Sequence, residues 1–118
     1  MAQIIDFDAA GRRRREEQRK AWEDELIVLL NEFRGLNPVC MDWVYHAQML
    51  AEAGNSSLYE TGKQLRAGIW RVIDEISAHL VNGDYGGDTV SLYRTEFHRT
   101  QEELTGFIYD VREVQKNC

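Results

Sequence analysis

Two aromatic and two cationic side chains recur along one side of a predicted helix in the middle of the chain. They are Tyr59, Lys63, Arg66 and Trp70, at steps of four, three and four residues. The helical period places them on one strip, turned by about 100° from the apolar stripe of the same helix. Aromatic rings beside cations suit recognition of an acidic or aromatic partner, so we predict a partner-binding surface here. The alternative is that the rings pack on a neighbouring helix while the cations extend past them.

A second candidate site is a cluster of positive charge near the N-terminus. It consists of Arg12, Arg13, Arg14, Arg15, Arg19 and Lys20. Such clusters attract phosphate backbones or acidic protein surfaces. Ion pairs with Glu16 and Glu17, four residues after Arg12 and Arg13, are the alternative explanation. The cluster predicts contact with nucleic acid or an acidic partner, although no helix-turn-helix, basic zipper or RNA-stacking motif follows it.

The histidines could bind a metal or act as general acids and bases. Each has a carboxylate four residues away: Asp42 with His46, Glu75 with His79, and His98 with Glu102. The Glu-x-x-His spacing of di-iron bundles is absent, and no nucleophile or oxyanion donor accompanies the pairs. Surface ion pairs or histidines at the core edge explain them better. We therefore predict no catalytic residue, no metal ligand and no cofactor.

The remaining chemistry-bearing features carry weaker signals. The loop at 82–88, NGDYGGD, lacks the basic residue of a P-loop and the acidic spacing of a calcium loop, so we interpret it as a plain connection between helices. Cys40 and Cys118 show no disulfide or zinc spacing, which indicates a reducing compartment.

Four helices are expected to position these residues. The first is capped by Asp6 or Asp8 and ends at Phe33, the second spans 38–53, the third 57–81 and the fourth about 89–114. Asn37 followed by Pro38 is typical of a cap and first helical position. Ser57 with Glu60 forms an S-x-x-E start signature, and Gly83 predicts the end of the third helix.

Apolar residues at helical spacing predict how these helices pack. The third helix repeats them at Leu58, Leu65, Ile69, Val72, Ile76 and Leu80, and the fourth at Val90, Tyr93, Phe97, Leu104, Ile108 and Val111. The predicted fold class is all-α: an antiparallel four-helix bundle-like domain with long third and fourth helices and a projecting N-terminal helical arm. Because long and short helices cannot cover one another fully, we expect a homodimer rather than a monomer.

Composition and charge divide the chain into two parts. The 118 residues carry a net charge of −6. Residues 1–20 form a basic arm with six Lys/Arg against four Asp/Glu, and residues 21–118 form one acidic helical domain with eight against sixteen. The longest apolar run, Leu26 to Leu30, is far shorter than the roughly 20 residues of a membrane span. No apolar signal segment is seen either, so we expect a cytoplasmic protein without a membrane partner.

These patterns favour a small non-enzymatic protein-interaction module. It would act as an adaptor, inhibitor or regulator that covers a surface of another macromolecule. Small chains without catalytic motifs are typical of phages and mobile elements, which suggests a modulator of a host protein. The alternative is a nucleic-acid-binding transcriptional regulator that uses the arginine cluster. A second alternative, a metal- or small-ligand-binding bundle, would use the histidines.

Overall fold

The computed structural model describes residues 2–117, with side chains described from residue 9 onward, and contains three α-helices. Helix α1 spans Ala2–Glu52, α2 spans Ser57–Asn82 and α3 spans Gly87–Lys116. No strand occurs in this range. The all-α class is therefore confirmed.

The predicted third and fourth helices correspond closely to α2 and α3. Gly83 ends α2 with φ 65°, and its N–H donates to the His79 carbonyl, as expected for a left-handed glycine cap. The predicted start signature is displaced by one residue, because the N-cap of α2 is Ser56 and makes no side-chain hydrogen bond. At the start of α3 the Thr89 hydroxyl accepts the Gly86 N–H at 3.1 Å. Asp88, predicted as the cap, lies in the first turn instead.

The predicted break between a first and a second helix is wrong. Helix α1 continues through Gly35 and Pro38, so the chain has three helices rather than four. Asn37, predicted as a cap, lies in mid-helix, where its side-chain Nδ2 donates to Met41 Sδ at 3.5 Å. Its buried Oδ1 has no hydrogen-bond partner among the described residues.

The reason for this continuity is the apolar stripe of α1, which crosses Gly35 and Pro38 without a change of phase. Both residues are exposed, so the carbonyl that Pro38 leaves unpaired faces solvent. A glycine and a proline inside a helix cost about 1 and 3 kcal/mol. Burial of a large apolar side chain contributes about 1.5 to 3 kcal/mol, and α1 buries several on each side of the break. They are Leu26, Leu29, Leu30 and Phe33 before it, and Cys40, Val44, Ala47 and Leu50 after it.

The three helices pack as a bundle in which α2 runs antiparallel to α1 and α3 runs parallel to it. Arg19 of α1 meets Gly83 at the end of α2, whereas Val44 lies beside Gly62 near its start. On α3, Arg94 pairs with Glu25 and Arg112 lies over Trp43. Residue numbers therefore increase in the same direction along α1 and α3. The core between them is completed by Ile69, Val72, Ile73 and Ile76 from α2 and by Val90, Tyr93, Leu104, Phe107 and Val111 from α3.

The bundle is elongated because α1 is much longer than its neighbours. At 1.5 Å per residue α1 measures about 76 Å, and α3 about 45 Å. The molecule extends 79 × 21 × 17 Å, with a radius of gyration of 20.7 Å, against about 13 to 14 Å for a compact chain of this length. The N-terminal part of α1 therefore extends beyond the other two helices.

No helix in the described range is long and apolar enough to cross a membrane.

Candidate interaction surfaces

The predicted arginine cluster is divided by the structure into two parts. Arg12 to Arg15 are exposed on the N-terminal part of α1. Among the described residues, neither Arg12 with Glu16 nor Arg13 with Glu17 forms an ion pair within 4.0 Å. Lys20 instead pairs with Asp24 at 3.4 Å. The four arginines are thus exposed and form no ion pair with another described residue.

Arg19 belongs to the bundle rather than to the arm. Its guanidinium donates to the Gly83 carbonyl at 2.9 Å and lies 5.5 Å from the centre of the Tyr85 ring. The Tyr85 hydroxyl in turn donates to Glu23 at 3.0 Å. These contacts tie α1 to the α2–α3 loop. Sequence reasoning missed this connection, and its only signal was that Arg19 lies seven residues before Leu26.

A basic cleft surrounds this connection. It has a volume of about 350 Å³ and is lined by Arg15, Gln18, Arg19, Trp22, Gly83 and Tyr85. Trp22 and Tyr85 are partly buried against the core, so they form its walls. Of the four consecutive arginines, Arg15 lines this cleft and so adjoins the bundle.

The predicted strip on α2 is only partly available to a partner. Tyr59 packs against the core, and Lys63 lies 4.5 Å from the centre of its ring. Lys63 also pairs with Glu60 at 3.0 Å, and this hydrogen bond raises its pKa. Arg66 is half-buried, whereas Trp70 exposes 43% of its surface. The four residues share one strip, but Trp70 offers most of the accessible aromatic surface.

A concavity lies between α1 and α3. We call it the α1–α3 groove; its volume is about 460 Å³, and it is lined by Asp24, Glu25, Val28, Leu29, Glu32, Arg94, Phe97 and His98. Val28 is 55% exposed on one wall. On the other, Phe97 packs edge-on against Phe33, with ring centres 5.4 Å apart. Apolar walls with a charged rim are typical of sites that take an apolar side chain from a partner.

Charge at the rim of the α1–α3 groove is largely paired. Arg94 donates to Glu25 across the groove, and Asp24 is held by Lys20. Glu32 and His98 complete the rim without an ion pair among the described residues. The groove was missed at the level of sequence, because Val28 and Phe97 lie far apart in the chain.

No family model, curated protein or solved structure matches this chain.

A further exposed apolar row follows the outer face of α1. It consists of Ile27, Met41, Tyr45 and Met49, each between 40% and 60% exposed. At 100° per residue these positions fall within about 80° of arc, centred about 120° from Phe33 and about 140° from Cys40. Val28 and Val39 of α1 are exposed as well, so this row is one part of the apolar surface of α1 that the bundle leaves uncovered.

The three histidines lie in separate environments. His46 packs beside Trp43, His98 lies at the α1–α3 groove, and His79 Nδ1 is 2.6 Å from the Asp84 carbonyl. None forms an ion pair with the carboxylate four residues away, among the residues described. Within the same range no three His, Cys, Asp or Glu side chains converge as metal ligands.

Two titratable groups lie in the core. Burial raises the pKa of the Cys40 thiol, and the nearby Arg66 only partly offsets this effect. Burial also raises the pKa of Tyr93, assisted by Glu75, which accepts its hydroxyl at 3.4 Å. Because a thiolate is the reactive form, a raised pKa in the core indicates a packing role for Cys40. Cys118 lies outside the described residues.

Proposed function

We propose that this protein is a non-enzymatic interaction module whose bundle binds a segment of another protein in the α1–α3 groove. The observation that carries the proposal is the composition of this groove, with apolar walls from Val28, Leu29 and Phe97 beneath a charged rim. An amphipathic segment could insert apolar side chains between the walls and place polar ones at the rim. An adaptor, inhibitor or regulator acts through such contacts.

Surface area supports a binding role. The chain exposes 8053 Å², whereas a compact monomer of 13.7 kDa exposes about 6,600 Å². A standard protein interface covers about 800 Å² per partner, so the elongated bundle presents ample room for one. Part of the excess belongs to the projecting end of α1.

The lining of the groove is suited to binding a peptide segment. His98 and three carboxylates border apolar walls, so polar and charged groups of a partner could be contacted at the rim while apolar side chains pack between the walls. The acidic domain, with eight Lys/Arg against sixteen Asp/Glu, favours a segment that is neutral or basic. These features support an interaction module of the adaptor or inhibitor type.

A matched pair of substitutions tests this proposal. Val28→Glu puts a charge on the wall of the groove, and Val81→Glu makes the same change in the last turn of α2, at a residue that is 85% exposed and does not line the groove. We expect tagged Val28→Glu to capture its partner from a native-host lysate at least about tenfold less well, because a buried unpaired charge costs several kcal/mol. Val81→Glu should capture it normally.

Two outcomes would contradict the proposal. If Val28→Glu retained the partner, the groove would not be the binding site. If Trp70→Ala lost the partner while Val28→Glu kept it, the predicted strip on α2 would be the site instead. Circular dichroism and thermal unfolding of each variant establish that the bundle is intact.

The expected homodimer concerns another surface, the row on the outer face of α1. A second copy would cover apolar side chains that the bundle leaves exposed, which supports the expectation. Sedimentation of the wild type and of Tyr45→Glu tests it: a dimer that dissociates in the variant would support this interface, and a wild-type monomer at high concentration would contradict it.

A further inference from the structure

The N-terminal part of α1 presents its arginines in a geometry that the amino-acid pattern alone does not define. We call residues 9–18 the helical arm. The helix is continuous from the arm into the bundle, and Arg19 anchors it at the α2–α3 loop. The arm is therefore held out along the axis of α1 rather than folded back on the acidic domain, although opposite charges would attract the two.

The four arginines of the arm surround the helix. Arg12, Arg13, Arg14 and Arg15 are consecutive, so at 100° per residue they point in four directions that together cover the circumference. All four are exposed and form no ion pair within the part of the chain that the structure describes. A flat protein surface would meet only one or two of them. A groove with negative charge on both walls would contact all four arginines.

Within residues 9–18 the composition favours a nucleic acid over a membrane. A helix that lies on a lipid surface needs large apolar side chains along one face. Residues 9–18 contain only alanine and glycine as apolar residues, alongside four arginines, two glutamates and a glutamine. Ile4, Ile5 and Phe7 precede them in α1, so lipid vesicles are the competitor against which the DNA duplex is tested. The cations are arginines rather than lysines, which suits bidentate contacts with phosphate oxygens.

We propose that the helical arm binds in the major groove of double-stranded DNA, contacting phosphates on both walls without reading the base sequence. The major groove of B-DNA is about 12 Å wide and admits an α-helix. The corresponding groove of double-stranded RNA is too narrow, which makes DNA the expected form. The acidic domain carries sixteen Asp/Glu against eight Lys/Arg, so it turns away from the duplex and orients the molecule with the arm first.

The basic cleft marks the inner limit of this site. Arg15 lines the cleft beside Arg19. A DNA phosphate at this end of the major groove would therefore lie between the two guanidinium groups. Arg19 is already engaged with Gly83 and Tyr85, so it adds charge there while it keeps α1 in place. The site uses no residue of the α1–α3 groove, and the two proposals can therefore fail separately.

Fluorescence anisotropy with a labelled random-sequence duplex of 24 base pairs tests the proposal. If the arm neutralises four phosphates, the logarithm of the binding constant should fall with the logarithm of salt concentration with a slope of about −3.6. Between 50 and 200 mM salt this slope corresponds to a loss of about 150-fold in affinity. Replacing Arg12, Arg13, Arg14 and Arg15 with Gln should abolish binding at 50 mM salt.

Two control variants distinguish the position of the arginines from the net charge of the protein, and the rigidity of the arm from its charge. Arg34→Gln, Arg71→Gln, Arg112→Gln and Lys116→Gln together give the same net charge but leave the arm intact, and binding should persist. Gln18→Pro keeps every charge but interrupts the helix, and affinity should fall at least about tenfold because the arm is no longer rigid. Helicity of the bundle is followed by circular dichroism in each variant.

Several outcomes would overturn the proposal. Absence of binding at 50 mM salt, equal loss of binding in the bundle-charge variant, or unchanged affinity of Gln18→Pro would each do so. Equal affinity for poly-L-glutamate, for single-stranded DNA or for vesicles of anionic lipid would show that the arm recognises negative charge in general. A preference for the duplex together with loss on the arm substitutions would support it.

Discussion

The helical arm and the remainder of α1 form one continuous helix, yet their surroundings differ completely. From Trp22 to Leu50 the helix buries a stripe against α2 and α3, with Leu26 and Phe33 fully inaccessible. Along the helical arm, Arg12 to Arg15 and every residue up to Gln18 are exposed. Helix α1 therefore continues past the position at which its packing against α2 and α3 ends.

This difference shows that the helix continues beyond the bundle without support from packing. In the bundle, burial of apolar side chains outweighs the unfavourable Gly35 and Pro38. In the arm only local helix energetics are available. The boundary between the two lies at Arg19, the residue that ties α1 to the α2–α3 loop. Three predictions test the difference between the packed bundle and the exposed arm, beginning with the bundle.

The largest effect is expected at Gly62, a buried glycine of α2. A Cβ atom at this position would lie 2.5 Å from Phe107 Cζ and 3.0 Å from Val44 Cγ2, both in the core. Gly62→Ala should therefore lower the free energy of unfolding by about 1 to 3 kcal/mol, as overpacking does elsewhere. Urea denaturation measures the change.

Gly68 provides the matched control on the same helix. No atom lies within 4 Å of a Cβ built there, so Gly68→Ala should raise the free energy of unfolding by up to about 1 kcal/mol through helix propensity. If Gly62→Ala raised stability as Gly68→Ala is expected to do, the close approach of the helices at Gly62 would be wrong.

A smaller effect is expected where the arm meets the bundle. Arg19→Ala removes the hydrogen bond to the Gly83 carbonyl and the contact with Tyr85, and should lower the free energy of unfolding by about 1 kcal/mol. Arg12→Ala removes an equal charge seven residues earlier and should change stability by less than about 0.5 kcal/mol. Equal effects from the two would mean that the bundle does not end at Arg19.

The smallest effect concerns alkaline pH and belongs to the packed part alone. Because the pKa of Tyr93 is raised in the folded state, its contribution to stability is complete below the ordinary tyrosine pKa of about 10 and is lost as pH rises through the folded value. Unfolding by urea at pH 8 and pH 10.5 should show this decrease in the wild type and a smaller one in Tyr93→Phe. An identical decrease in both would exclude Tyr93 as its source.

Much of the fold could be predicted from local patterns. The bounds of α2 and α3 follow from apolar periodicity and from Gly83, whose positive φ is readily adopted by glycine. The exposure of Arg12 to Arg15 follows from their charge. The candidate sites were harder to predict. The strip from Tyr59 to Trp70 has the expected spacing, but only contacts with the core and with Glu60 determine that Tyr59 and Lys63 are engaged.

The amino-acid sequence by itself determined the helical class, the two later helices and the concentration of positive charge within residues 1–20. These properties depend on periodicity, caps and charge, which act within a few residues. Only the tertiary structure decided that α1 passes through Pro38, that Arg19 belongs to the bundle and that Val28 and Phe97 share a groove. A local stop signal is worth about 3 kcal/mol, whereas apolar side chains buried on both sides of it contribute more in sum.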